Sequence, residues 1–237
     1  SKTTDKKKIN RLAVGEGNKQ FENEIISGAL SADMMDYLLR DGYFTGAEHA
    51  KIDHNRITNS FEVYKNKLAL QNSALVNFET MMISRFQMFK AVYFHKTVRA
   101  GEVMLLEAMS LADDYLGLSK MNVESYMIQT DDSILQQLTS LPEDTSELKA
   151  AKKIATDYQD RKLFKCVFEK TISGKKSFGR NKLKQFREDI AKKSKLAESQ
   201  IFIDTSTTHS MPLAPSKKES SSIILIKKEG SKIIPKT

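Results

Sequence analysis

Cysteine is almost missing from this 237-residue chain: Cys166 stands alone, so no disulfide can form within it, and a reducing compartment suits it. Also missing is any apolar run near the roughly 18 residues that a membrane-spanning helix needs. The N-terminus is rich in lysine and carries no hydrophobic signal region. These absences lead us to expect a cytoplasmic protein with no membrane partner. Histidine is scarce as well, at positions 49, 54, 95 and 209. His49 and His54 have no second histidine or cysteine at ligand spacing, so both read as surface or structural residues.

What is present fits one globular unit with a smaller appendage: 40% of residues are hydrophobic and 29% charged. The net charge of +8 implies attraction to anions without naming them. Much of that excess lies at two places, Lys2 to Arg11 and Lys175 to Lys195, which leaves the middle closer to balance. Residues 1–18 read as a flexible N-terminal segment with little to bury. A helical pattern then resumes through Phe21, Ile25 and Ile26.

The organising stretch runs from Ser31 to Gly46. Met34, Met35, Leu38 and Leu39 recur at helical spacing, and Asp33, Tyr37 and Asp41, four residues apart in succession, line a second face. Ser31 is placed to cap the start, and Gly42 and Gly46 are expected to end the helix. From periodicity alone the polar row is a solvated face of an amphipathic helix. Further on, Asp53 is placed to cap a short helix, and Glu62 to Leu70 reads as a hairpin turning near Asn66.

From about Asn72 to Leu116 the pattern is apolar around most of the helical circumference, which marks buried helix, broken between Tyr93 and Gly101. Within it Arg85, Tyr93, Lys96 and Arg99 fall near one face. Buried cations need acidic partners or a bound anion, so these residues either pair with protein carboxylates or meet a ligand. Thr130 and Ser146 open two more helices. Leu163 to Phe168, which flanks Cys166, reads as a half-buried strand that makes the thiol structural. A basic helix over Asn181 to Lys193 follows, then a strand-like Gln200 to Asp204, and a closing hairpin over Ser222 to Lys227 and Lys232 to Ile234.

The string Ala32-Asp-Met-Met-Asp-Tyr-Leu-Leu-Arg-Asp41, followed by Gly-Tyr-Phe-Thr-Gly46, resembles the D-A-D-x-x-D-Y-L-x-R-D segment of HD-domain phosphohydrolases of the deoxynucleoside triphosphate triphosphohydrolase group, which includes bacterial dGTPases. The segment Arg85 to Arg99 is similar to that group's R-x-x-x-x-x-x-V-Y-x-H-K-x-V-R, and Tyr158 to Lys165 more loosely to Y-R-x-L-F-K/R. The resemblance implies a mainly α fold: the C-terminal part of an HD-type helical core over 19–160, and a small α/β lobe over 161–237. It implies Asp33 as a ligand of a divalent metal ion (Mg, Mn, Fe or Zn), Tyr37 and Asp41 as contacts to deoxyribose, and Arg85, Tyr93 and Lys96 as contacts to the nucleotide. A tyrosine ring against the sugar face and a carboxylate accepting from its 3′-hydroxyl suit one another chemically. Arg56 matches an arginine of a regulatory nucleotide site, and a homo-oligomer is implied. His95 reads as a packed structural histidine.

Two positions depart from the group. Met34 and Phe89 stand where a vertebrate member has lysine and histidine, so phosphate contacts and base preference do not carry over. A larger departure is the metal centre, which the group builds from a histidine, an adjacent His-Asp pair and the distal aspartate. No histidine here precedes an aspartate, and all four follow Asp33. The expectation is therefore the C-terminal part of a longer polypeptide, with negligible hydrolysis of deoxynucleoside triphosphates by this chain on its own. The alternative is a non-catalytic nucleotide- or nucleic-acid-binding module using 175–195, although only Phe178 and Phe186 stand among those lysines as stacking candidates.

Overall fold

The computed structural model describes residues 5–170, 179–205, 223–229 and 232–235. It is mainly helical with a small mixed sheet, and it packs as two units. The first runs to Tyr93 and takes in the described residues after 208; the second spans 94–207.

In the first unit, α1 (Lys6–Ala13), α2 (Gln20–Ser27), α3 (Ala32–Thr45) and α4 (His54–Thr58) lead to the strands β1 (Phe61–Tyr64) and β2 (Lys67–Gln71), and then to α5 (Leu75–Met88). Helix α1 lies in the segment expected to be flexible. Asp5 caps it by accepting from the Lys7 and Lys8 N–H groups, a local device that needs no burial. Lys65 and Asn66 take positive φ and turn β1 back on β2 in antiparallel register. The C-terminal hairpin of β3 (Ile224–Glu229) and β4 (Lys232–Pro235), grouped by sequence with residues from 161, adds to this sheet. Strand β3 pairs parallel with β2, giving the order β1-β2-β3-β4. Glu24 of α2 accepts from the Leu68 N–H at 2.6 Å and ties that helix to the sheet. The core gathers Met34, Met35 and Leu38 of α3 with Ile57, Leu70, Phe78, Met81, Met82 and Met88.

Gly42 does not end α3. It sits buried inside the helix, whose C-cap is Gly46 in the left-handed region. A Cβ on Gly42 would lie 2.2 Å from Ala50 Cβ, so the 3-10 turn Glu48–Ala50 folds back against α3 only because that side chain is missing.

The second unit holds α6 (Lys96–Leu116), α7 (Val123–Met127), α8 (Asp131–Thr139), α9 (Ser146–Gln159) and α10 (Arg180–Ser194). Helices α6 and α9 meet through Ala108, Ala112, Ala151 and Ala155, all fully buried; small side chains let the backbones approach. Arg99 grips Asp204 through two hydrogen bonds, Nε to Oδ2 at 2.7 Å and Nη2 to Oδ1. The strand expected at Leu163 to Phe168 does not form. The segment takes no regular structure, Phe164 stacks on Phe202 with ring centres 4.4 Å apart, and Cys166 is exposed. The strand expected at Gln200 to Asp204 does not form either: Gln200 ends the 3-10 turn Glu198–Gln200, and 201–204 join no ladder. His95 is exposed rather than packed, and its ring nitrogen accepts from the Thr97 N–H to cap α6.

Candidate functional site

Ser31 sets the start of α3 by accepting from the Met34 N–H at 3.2 Å. With that phase fixed, Met34, Met35 and Leu38 face the core, Tyr37 and Asp41 are half-buried beside it, and Asp33 is exposed. Helix α5 supplies Arg85 from its last turn and passes without a break into a π-turn, Phe89–Tyr93. A π-turn adds a residue to the helical repeat and is common at functional sites. Here it carries Tyr93.

Two hydrogen bonds join the helices. Arg85 Nη1 donates to the Tyr37 hydroxyl, and the Tyr93 hydroxyl donates to Asp41 Oδ2 at 2.6 Å. The Tyr37 and Tyr93 rings meet edge to face at 6.1 Å. Phe89 packs edge-on against Tyr93 at 4.9 Å. The Arg85 guanidinium lies 4.8 Å from the centre of the Phe89 ring and 5.9 Å from that of Tyr37, within the range of cation–π attraction. Arg40 adds a looser contact to the other oxygen of Asp41, at 3.6 Å.

The electrostatics follow from these neighbours. Burial, then the hydrogen bond to Asp41 and the charge of that carboxylate, push the Tyr93 hydroxyl far above the ordinary tyrosine value. Burial also raises Tyr37. The Arg85 cation opposes that rise, and the Asp33 and Asp41 charges add to it. Both phenols are therefore neutral at physiological pH, Tyr37 accepting from Arg85 and Tyr93 donating to Asp41, a carboxylate whose partner, a hydroxyl, is of the kind a sugar offers.

The structure thus brings together four of the residues singled out in sequence, Tyr37, Asp41, Arg85 and Tyr93, with Asp33 one turn before Tyr37. Lys96 belongs to the second unit, at the first residue of α6, where it lines a cavity of about 290 Å³ with Thr97, Phe164, Lys165 and Cys166. Arg99 pairs with Asp204 and Glu102, the carboxylate pairing that one reading of the row anticipated. Arg56 is exposed on α4. Among the described residues no group of three His, Cys, Asp or Glu side chains is placed to hold a metal ion, so Asp33 has no companion ligand there. Sequence reading passed over Phe89 as a mere departure. Its place four residues after Arg85 and four before Tyr93 was the available signal that it stacks between them.

Residues 52–233 match the family model described as HD associated region. The chain belongs to the HD-associated-region family. Arg85, Phe89 and Tyr93 lie inside the matched residues, and α3 precedes them. An uncharacterised protein of Methanocaldococcus jannaschii is 39% identical over 95 residues, 38% of this chain and 21% of the relative. The deoxynucleoside triphosphate triphosphohydrolase SAMHD1 homolog of Dictyostelium discoideum is 28% identical over 74% of this chain and 34% of its own length. Human deoxynucleoside triphosphate triphosphohydrolase SAMHD1 is 24% identical over 79% of this chain and 32% of its own length. The chain thus spans about a fifth to a third of these relatives. Among solved structures, a phosphohydrolase from Bacteroides thetaiotaomicron superposes with a TM-score of 0.63 at 22% identity, covering 95% of this chain and 60% of that one. That likeness shows the fold of this HD-associated region.

Proposed function

We propose that the α3–α5 cluster is the deoxynucleoside-binding half of the active site of an HD-type, metal-dependent phosphohydrolase acting on deoxynucleoside triphosphates, which yields deoxynucleoside and triphosphate. The observation that carries this reading is the Tyr93–Asp41 hydrogen bond. It holds a carboxylate, half-buried between two tyrosines, where a sugar hydroxyl can replace the phenol as donor. Tyr37 presents its ring to the sugar, and Arg85 holds Tyr37 through its hydroxyl. Phe89 sets its ring 4.8 Å from the guanidinium, so the cation is held before any ligand arrives. Two relatives named as deoxynucleoside triphosphate triphosphohydrolases, at 24% and 28% identity, support the same substrate class.

A divalent ion in such a hydrolase activates water and polarises the phosphoryl group. Of this chain's residues Asp33 is suited to contribute one oxygen to it, and the described residues do not complete a centre. The work assigned to this chain is therefore recognition and not hydrolysis. The second reading, nucleic-acid binding through 175–195, draws less support. On α10 the basic residues are interrupted by Glu188 and Asp189, Phe186 is partly exposed, and Phe178, the other stacking candidate, lies outside the described residues.

Calorimetric titration of the chain with dGTP and with its 2′,3′-dideoxy analogue tests the proposal. Losing the 3′-hydroxyl should weaken binding to the wild-type chain about tenfold, the worth of one hydrogen bond to a charged group. The Asp41→Asn variant should bind the two alike. Equal affinity of the wild-type chain for both nucleotides, or no binding of either, overturns the reading.

A further inference from the structure

We infer that Phe44 is the platform on which the nucleobase stacks, so that the ligand lies along α3 with its phosphates toward Asp33 and its base at the far end. The inference rests on the deoxynucleoside reading above and adds to it the residue that meets the base. At about 100° per residue, Asp33, Tyr37, Asp41 and Phe44 fall within about 80° of one another around α3. The polar row therefore ends in an aromatic ring. Exposure changes along it: Tyr37 and Asp41 are half-buried, whereas Phe44 is 80% exposed. Tyr43, 82% exposed, meets the Phe44 ring edge to face at 5.3 Å. Two large aromatic side chains thus lie open side by side at the end of the helix that carries the candidate site, which is more than scattered exposure.

The order of the row matches the order of groups in the ligand. Asp33, the residue suited to a metal ion, stands nearest the start of the helix. Tyr37 and Asp41, the contacts proposed for the sugar, come one and two turns later. Phe44 lies three residues past Asp41, a rise of about 4.5 Å. Side chains of a helix lean toward its N-terminal end, which directs the Phe44 ring toward the turn that holds the carboxylate. In a deoxynucleoside the base leaves C1′, two bonds from C3′. A sugar whose 3′-hydroxyl is held by Asp41 therefore brings its base within reach of a ring one turn further on. Every base has a π-face, so a stack of this kind accepts all of them, and the larger purines gain the most contact.

Calorimetric titration of the full chain with dGTP and its 2′,3′-dideoxy analogue, together with a fluorescence titration, tests this. Phe44→Ala should weaken dGTP binding roughly tenfold, the low end of what one base–aromatic stack is worth, and should keep the preference for dGTP over the dideoxy analogue. The chain has no tryptophan, so Phe44→Trp installs a single emitter at the proposed platform. Stacked guanine should quench that emission, and inorganic triphosphate, which has no base, should leave it unchanged. Should Phe44→Ala lose its helical signal in circular dichroism, the quenching of Phe44→Trp decides the matter. A folded Phe44→Ala that binds dGTP as tightly as the wild-type chain overturns the inference, and so does Phe44→Trp emission that dGTP leaves unchanged or that inorganic triphosphate quenches alike. In those cases the 3′-hydroxyl preference of the wild-type chain still upholds the deoxynucleoside reading, whereas a wild-type chain that fails to bind dGTP overturns both.

Discussion

Tyr93 donates its hydroxyl hydrogen to Asp41 at 2.6 Å across 52 positions of sequence. The bond fixes the end of a π-turn to the last third of α3. It also holds a proton that the unfolded chain gives up more readily, since burial and the adjacent carboxylate raise the Tyr93 pKa in the fold. Between the ordinary tyrosine value, about 10, and the raised one, the unfolded chain binds fewer protons than the folded chain, so stability falls as pH rises. The contribution is fully present below pH ~10. Urea unfolding at a series of pH values from 8 to 11 should show that fall, and Tyr93→Phe should make it shallower. An identical slope in the variant would mean that Tyr93 is not the group responsible.

Gly42 sits where two effects oppose each other. Replacing it with alanine in the interior of α3 favours the helix by about 1 kcal/mol on propensity. The new methyl would lie 2.2 Å from Ala50 Cβ, and overpacking of that severity costs about 1–3 kcal/mol. The clash should win, and Gly42→Ala should lower stability by roughly 1 kcal/mol in chemical denaturation. A more stable variant would show that the turn Glu48–Ala50 yields freely.

Cys166 offers a simple check on the segment that follows α9. It is the chain's lone cysteine and is exposed, with Val167 and Phe168 exposed beside it. A chromogenic disulfide reagent should modify one thiol per folded chain at nearly the rate seen in denaturant. Protection in the folded chain would restore the half-buried strand that its sequence pattern suggests.

Asp33 has no companion metal ligand among the described residues, and hydrolysis of a triphosphate by a bound ion needs several fixed ligands and an open position for water. The chain incubated with dGTP and manganese should release no triphosphate above the protein-free control. Release that a chelator abolishes and that Asp33→Ala removes would show a centre completed in some other way.

Much of the candidate site was legible before any coordinates. Helices are local objects, so the row Asp33, Tyr37, Asp41, the Ser31 cap and the Gly46 terminus follow from spacing and capping chemistry alone. The partners of that row were not legible. Arg85, Phe89 and Tyr93 share an apolar stretch with many residues of similar character, and only the packing of α5 on α3 selects them. Lys96, three residues beyond Tyr93, read as part of the same row. It lies past the π-turn and the break at Phe94 and His95, at the start of another helix in the other unit.

By itself the sequence determined most of the elements that close their own hydrogen bonds: α3 with its Ser31 cap, the buried helix α5, the helices α8 and α9, and the strand pairs β1–β2 and β3–β4, while α1, within the segment expected to be flexible, was missed. The tertiary structure alone decided whatever needs a distant edge or a distant face. Gly42 and Gly46 look alike as helix stops, and only the approach of Ala50 makes one of them interior. Leu163 to Phe168 has the alternation of a strand, yet a strand exists only where a neighbouring backbone offers its donors and acceptors. In this fold β2 gave that edge to β3.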